Sequence, residues 1–145
     1  MKSNKIIFFP GLGESSHKYD VFSKYMKIAD INWNTGEYIP KISQENIVIT
    51  FSLGAIFPLE YIQKNKLRKI VLCSPTPFED VGKAKTEQIV FIAGSKEKFI
   101  LQNIKRVVKN LPKKIKSEII VIPKAGHRIT GQYQKKLIKL IKELR

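Results

Sequence analysis

Apolar positions along the chain follow two alternating rhythms: short continuous runs, and longer stretches that repeat every three or four residues. Continuous runs rich in β-branched residues read as strands buried on both faces, and the three-to-four repeat reads as helices with one apolar side. The runs predict strands over residues 5–9, 46–51, 69–73, 88–93 and 118–122. A shorter one from Ala29 to Trp33 predicts a sixth, broken by Asn34-Thr35-Gly36. Helices are predicted from about residue 18, with Val21, Phe22, Tyr25 and Met26 inward, and over about 53–65. Two more span about 98–111, with Leu101, Ile104, Val107, Val108 and Leu111 inward, and about 131–144, with Tyr133, Leu137, Leu140, Ile141 and Leu144 inward. Pro58 predicts a kink or a late start in its helix, and Pro112 ends the next. Residues 75–87 read as an exposed loop with about one helical turn, and 37–45 show no readable period. Strands alternating with helices require a parallel sheet covered on both faces. The expected fold class is therefore α/β, a three-layer sandwich with a mostly parallel sheet of about six strands, and one domain over residues 1–145.

Composition adds three limits. One cysteine rules out an internal disulfide framework, and Cys73, inside an apolar run, reads as a buried strand thiol. Two histidines leave no metal cluster to propose, and no cofactor is expected. Only four apolar residues follow Met1-Lys2-Ser3-Asn4-Lys5, too few for a signal segment or a membrane span, so the expected location is the cytoplasm. The net charge is +15, and it is uneven: from Lys96 onward fifteen Lys and Arg face three Glu, whereas before it twelve face nine acids. Such an excess is either the solvated face of amphipathic helices or a surface for an anionic partner. Few aromatics interrupt the charged helices, which weighs against nucleic-acid binding.

Candidate chemistry begins at Ile47-Val48-Ile49-Thr50-Phe51-Ser52-Leu53-Gly54-Ala55, where a strand run stops at a serine and a helical pattern opens. A serine on a strand-to-helix turn is held above the end of a buried strand, and the N–H of Leu53 points to where an oxyanion would form. Thr50 stands where the G-x-S-x-G pattern has its first glycine, so an ordinary turn carrying a serine is the competing reading. Three other stretches follow strands: Phe8-Phe9-Pro10-Gly11-Leu12-Gly13, Gly94-Ser95-Lys96-Glu97 and Ala125-Gly126-His127. In this order the chain resembles the α/β-hydrolase family over nearly its whole length, as a minimal, lidless core.

The resemblance implies a serine hydrolase of the carboxylesterase or acyl-thioesterase type. Ser52 would be the nucleophile, His127 the general base and then acid, and Glu97 the carboxylate that orients it, with Asp80 as the substitute acid. The backbone N–H groups of Leu12 and Leu53 would form the oxyanion hole, with Pro10 standing where the family usually has histidine. With only residues 75–87 available as a lid, the acyl pocket should be open, lined by Leu12, Phe57, Pro77, Phe78 and Ile129, with His17 as a further substrate contact. The expected partner is a small ester or thioester, including one linked to coenzyme A or an acidic acyl-carrier protein. A catalytically inert hydrolase-like binding module, and a basic surface for an anionic partner, remain as alternatives, and oligomeric state is not legible.

Overall fold

The computed structural model describes residues 5–79, 81 and 84–144. Among them six strands form one sheet: β1 (Ile6–Phe9), β2 (Lys27–Ile28), β3 (Ile47–Phe51), β4 (Leu67–Cys73), β5 (Thr86–Gly94) and β6 (Lys116–Ile122). Their spatial order is β2-β1-β3-β4-β5-β6, and every neighbouring pair is parallel. Three α-helices, α1 (Ile56–Tyr61), α2 (Lys98–Lys109) and α3 (Gly131–Leu144), and two 3-10 helices, Ser16–Phe22 and Ser52–Ala55, complete the described elements. The α/β three-layer expectation holds.

Successive strand residues serve opposite layers, which is why the runs are apolar throughout. Phe9, Val48, Ile70, Leu72 and Phe91 pack with Ile62, Ile104 and Val107 on one face. Phe8, Ile49, Val71, Val90 and Ile92 pack with Tyr19, Phe22, Tyr133, Leu137 and Ile141 on the other. Each large side chain so buried contributes about 1.5–3 kcal/mol. Cys73 is fully buried, and burial pushes its thiol pKa well up, as an inert strand cysteine requires.

Three local expectations change. The helix expected from residue 18 is the 3-10 helix Ser16–Phe22, kinked at Tyr19. Tyr19, Phe22 and Tyr25 are buried at three-residue steps, the 3-10 period, which leaves Val21 exposed. The strand expected at 29–33 is instead β2 at Lys27–Ile28, and Asn32 makes an isolated antiparallel bridge to Glu37. The helix expected over 53–65 splits into a 3-10 turn and the six-residue α1. Pro58 is the third residue of α1, where α-helical pairing has only just begun after the 3-10 turn, in line with the late start that a proline here predicts.

β1 lies between β2 and β3, so the chain reverses its direction of travel across the sheet there. Ligands in open α/β sheets gather at such a switch, beyond the strands' carboxyl ends. The loops after β1 and β3 both open onto it.

Candidate active site

At the end of β3 the backbone of Ser52 takes φ +55°, the left-handed region. That conformation costs a residue with a Cβ about 1–2 kcal/mol. Close packing behind the serine maintains it. A Cβ on Gly54 would stand 2.4 Å from the Phe9 carbonyl oxygen and 2.5 Å from that of Pro10, so only glycine lets the turn settle on the end of β1. Thr50, in place of the pattern's first glycine, is fully buried, and its hydroxyl has no partner among the described residues. The N–H of Leu53, in the first turn of the 3-10 helix, is one of the donors such a turn leaves over.

The loops after β5 and β6 are stitched together. Ser95 N–H donates to the Ile122 carbonyl at 2.8 Å, Lys96 N–H to that of Ala125 at 3.0 Å, and Lys124 N–H to Ser95 Oγ at 2.7 Å. Gly94 is required here, since a Cβ would stand 2.0 Å from the Ala125 oxygen. His127 leaves this junction with its ring centroid 4.8 Å from that of Phe51. Its Nδ1 lies 2.6 Å from Glu97 Oε2 and its Nε2 3.0 Å from Ser52 Oγ.

Glu97, 8% exposed, immediately precedes α2 without capping it through its side chain. Its Oε1 accepts from the Gly94 N–H at 2.8 Å and the Ser74 hydroxyl at 2.6 Å. Burial alone would raise this carboxyl's pKa, but the hydrogen bonds from His127, Ser74 and Gly94 outweigh it and hold the pKa below its usual value. Ser74 is itself buried at φ +44° and lies 2.8 Å from the Tyr133 hydroxyl, which donates to the Ile92 carbonyl at 3.2 Å. A hydroxyl, an imidazole and a buried carboxylate thus form one hydrogen-bonded line within proton-transfer distance.

After β1, Gly11 lies against Ser52, since a Cβ there would come 3.4 Å from that of the serine. Glu14 pins this loop. Its Oε1 accepts from the Gly11 N–H at 2.7 Å and the Tyr19 hydroxyl at 2.6 Å, and its Oε2 from Lys18 at 2.6 Å.

No protein-family model matches the sequence, and no curated protein does. Solved structures do. An uncharacterized protein from Bacillus cereus is similar over 100% of this chain and 61% of its own, less than two thirds of its length, at TM-score 0.67 and 16% identity. A Paleococcus ferrophilus monoacylglycerol lipase is similar over 99% of this chain and 96% of its own, at TM-score 0.70 and 12% identity. A Bacillus cereus carboxylesterase matches over 99% and 92%, at TM-score 0.65 and 12% identity. The chain has the α/β-hydrolase fold.

On this α/β-hydrolase scaffold an open hollow of about 560 Å³ lies beside Ser52 and His127, lined also by Thr76, Pro77, Lys98 and Phe99. A second, of about 460 Å³, shares Pro77 and Phe99 and adds Phe78. Of the other expected substrate contacts, Phe57 packs on Phe9 and Trp33, and Ile129 is buried in the core, so neither lines these hollows. His17 faces solvent 3.8 Å from Asp20. The Leu12 side chain is 64% exposed. Asp80, the alternative acid, lies outside the described residues. Ser74, Tyr133, Glu14 and Phe99 join the site without having been expected in it. Only Tyr133 carried a signal, because a tyrosine on a buried helix face needs a partner for its hydroxyl. Among the described residues no three His, Cys, Asp or Glu side chains gather as a metal site requires.

Proposed function

We propose that the chain is a serine hydrolase of the carboxylesterase or acyl-thioesterase type. The observation that carries this reading is the unbroken line from Ser52 Oγ through His127 to Glu97, at 3.0 Å and 2.6 Å. Ser52 Oγ attacks the acyl carbon as His127 Nε2 takes its proton, and the N–H groups of Leu12 and Leu53 receive the negative charge on the carbonyl oxygen. His127 then gives the proton to the departing alcohol or thiol. Water repeats the cycle, releasing the acid and free Ser52. Glu97 stays ionised throughout and stabilises the imidazolium at Nδ1.

The open hollow supports short acyl groups, or an acyl group presented on a carrier. Lys96 and Lys98 in its lining support an anionic leaving group such as coenzyme A or an acyl-carrier protein. On that reading kcat/KM for a coenzyme A thioester falls as salt rises, while that for a neutral p-nitrophenyl ester stays flat. A thioester rate indifferent to salt would remove the preference for charged carriers.

The deciding experiment is labelling with an active-serine phosphonate, together with a p-nitrophenyl ester series of graded chain length. Native protein is expected to label and turn over, and Ser52→Ala to do neither while keeping its thermal transition. Equal labelling of Ser52→Ala overturns the assignment. An unreactive native protein points instead to an inert binding module on the same fold.

A further inference from the structure

A cleft of about 1000 Å³, larger than the hollow at Ser52, opens at the amino-terminal ends of β4, β5 and β6. It lies on the opposite rim from Ser52 and His127. Gln88 in its lining and Gly94 beside Glu97 are six residues apart on β5, so the two sites are separated by roughly 20 Å.

Three stretches distant in sequence deliver its cations. Lys64 and Lys66 come from the turn after α1, Arg68 and Lys69 from β4, and Lys85 from the approach to β5. Lys114 comes from the turn before β6 and Lys116 from its first position. Against these seven, the lining holds two carboxylates among the described residues, Glu87 and Glu143. Among the described residues none of the seven is ion-paired, since the ion pairs lie at Asp20, Glu14 and Glu97. Strand register sets the arrangement. Lys69, Gln88 and Lys116 stand side by side across β4, β5 and β6, which puts two ammonium-bearing chains on the same side of the sheet about 10 Å apart, with an amide between them.

The outer lysines of α3 repeat along a single convex helix, as any solvated face does. The cleft differs, because separate elements converge on one concavity whose walls focus the positive field. Like charges gathered in this way oppose folding until an anion joins them. Among the described residues the lining has no aromatic ring to stack a base and one large apolar side chain, Leu144, so they can recognise little beyond charge and hydrogen-bond acceptors. We propose that this cleft binds a small, multiply phosphorylated anion, gripped by Lys69 and Lys116 on either side of Gln88. The site is independent of the hydrolase reading.

The test is calorimetric titration of the full chain with inorganic tripolyphosphate at constant ionic strength. Lys69→Glu/Lys116→Glu is expected to weaken binding at least about 100-fold, since each of the two ion-paired hydrogen bonds accounts for roughly tenfold or more. Lys66→Glu/Lys114→Glu, placed outside regular strand pairing, should act in the same direction and guards against a folding defect in the first pair. Lys135→Glu/Lys139→Glu on the outer face of α3 alters net charge equally and should change affinity less than about threefold. Ser52→Ala should bind as the native protein does, whatever its effect on ester hydrolysis. Equal loss in the α3 control, or no saturable binding at millimolar tripolyphosphate, overturns the proposal. Tighter binding of a single-stranded oligonucleotide, lost in the same cleft variants, would reassign the cleft to a nucleic-acid backbone.

Discussion

Ser52 pays for its position with backbone strain, and that strain can be measured apart from chemistry. At φ +55° a glycine is at ease and an alanine is not, so Ser52→Gly should exceed Ser52→Ala in stability by about 1 kcal/mol in urea unfolding, with both unreactive. Equal stabilities would mean that the turn relaxes once the hydroxyl is gone. Glu97 and Glu14 bear on pH. Burial would raise each carboxyl's pKa, but their hydrogen bonds prevail and both fall below the usual 4.5. A depressed folded-state pKa contributes stability that is whole above the unfolded value and is lost as pH falls through the folded one. The urea midpoint should therefore hold from pH 7 to about 5 and decline below about 4.5. Glu14→Gln should decline less steeply, and parallel curves would deny Glu14 that role. The three residues of the hydrogen-bonded line were legible because each sits after a strand run in a stretch that resembles a hydrolase motif. Ser74 also follows a strand run but in no such motif, and nothing local separates a pocket phenylalanine such as Phe99 from one of the core.

Among the elements, the junction of the β5 and β6 loops governs where His127 points. Gly94→Ala would drive a Cβ into the Ala125 carbonyl at 2.0 Å, and should cost about 3 kcal/mol and, under the proposed function, most of the turnover of a p-nitrophenyl ester. Gly126→Ala meets nothing within 4 Å and should change stability by less than about 0.5 kcal/mol. Thermal unfolding of the two variants checks this, and similar losses would show that the junction is slack. The strands and the helices α2 and α3 were readable because their periods run long enough to be distinctive. Around Tyr19 three-residue and four-residue repeats coincide over a single turn, so the pattern predicts Val21 inward where the 3-10 helix leaves it exposed. Similarly, β2 has two residues, too few for any pattern.

In the whole molecule the two rims of the sheet have different characters. The carboxyl ends carry the serine, imidazole and carboxylate, and the amino ends carry a concentrated positive charge. The linear count located the basic excess after Lys96, yet five of the seven cleft cations precede it. No helix among the described residues is long and apolar enough to cross a membrane. The sequence by itself determined the layered architecture, because strands buried on both faces and one-sided helices admit few arrangements, and it marked which loops leave the carboxyl ends of strands. Only the tertiary structure decided that Ser52, His127 and Glu97 meet at hydrogen-bond distance, that Ser74 and Tyr133 stand behind the carboxylate, and that lysines from three stretches share one cleft. Such meetings depend on strand order and on backbone approaches of a few ångströms, and neither quantity is written in any local run of residues.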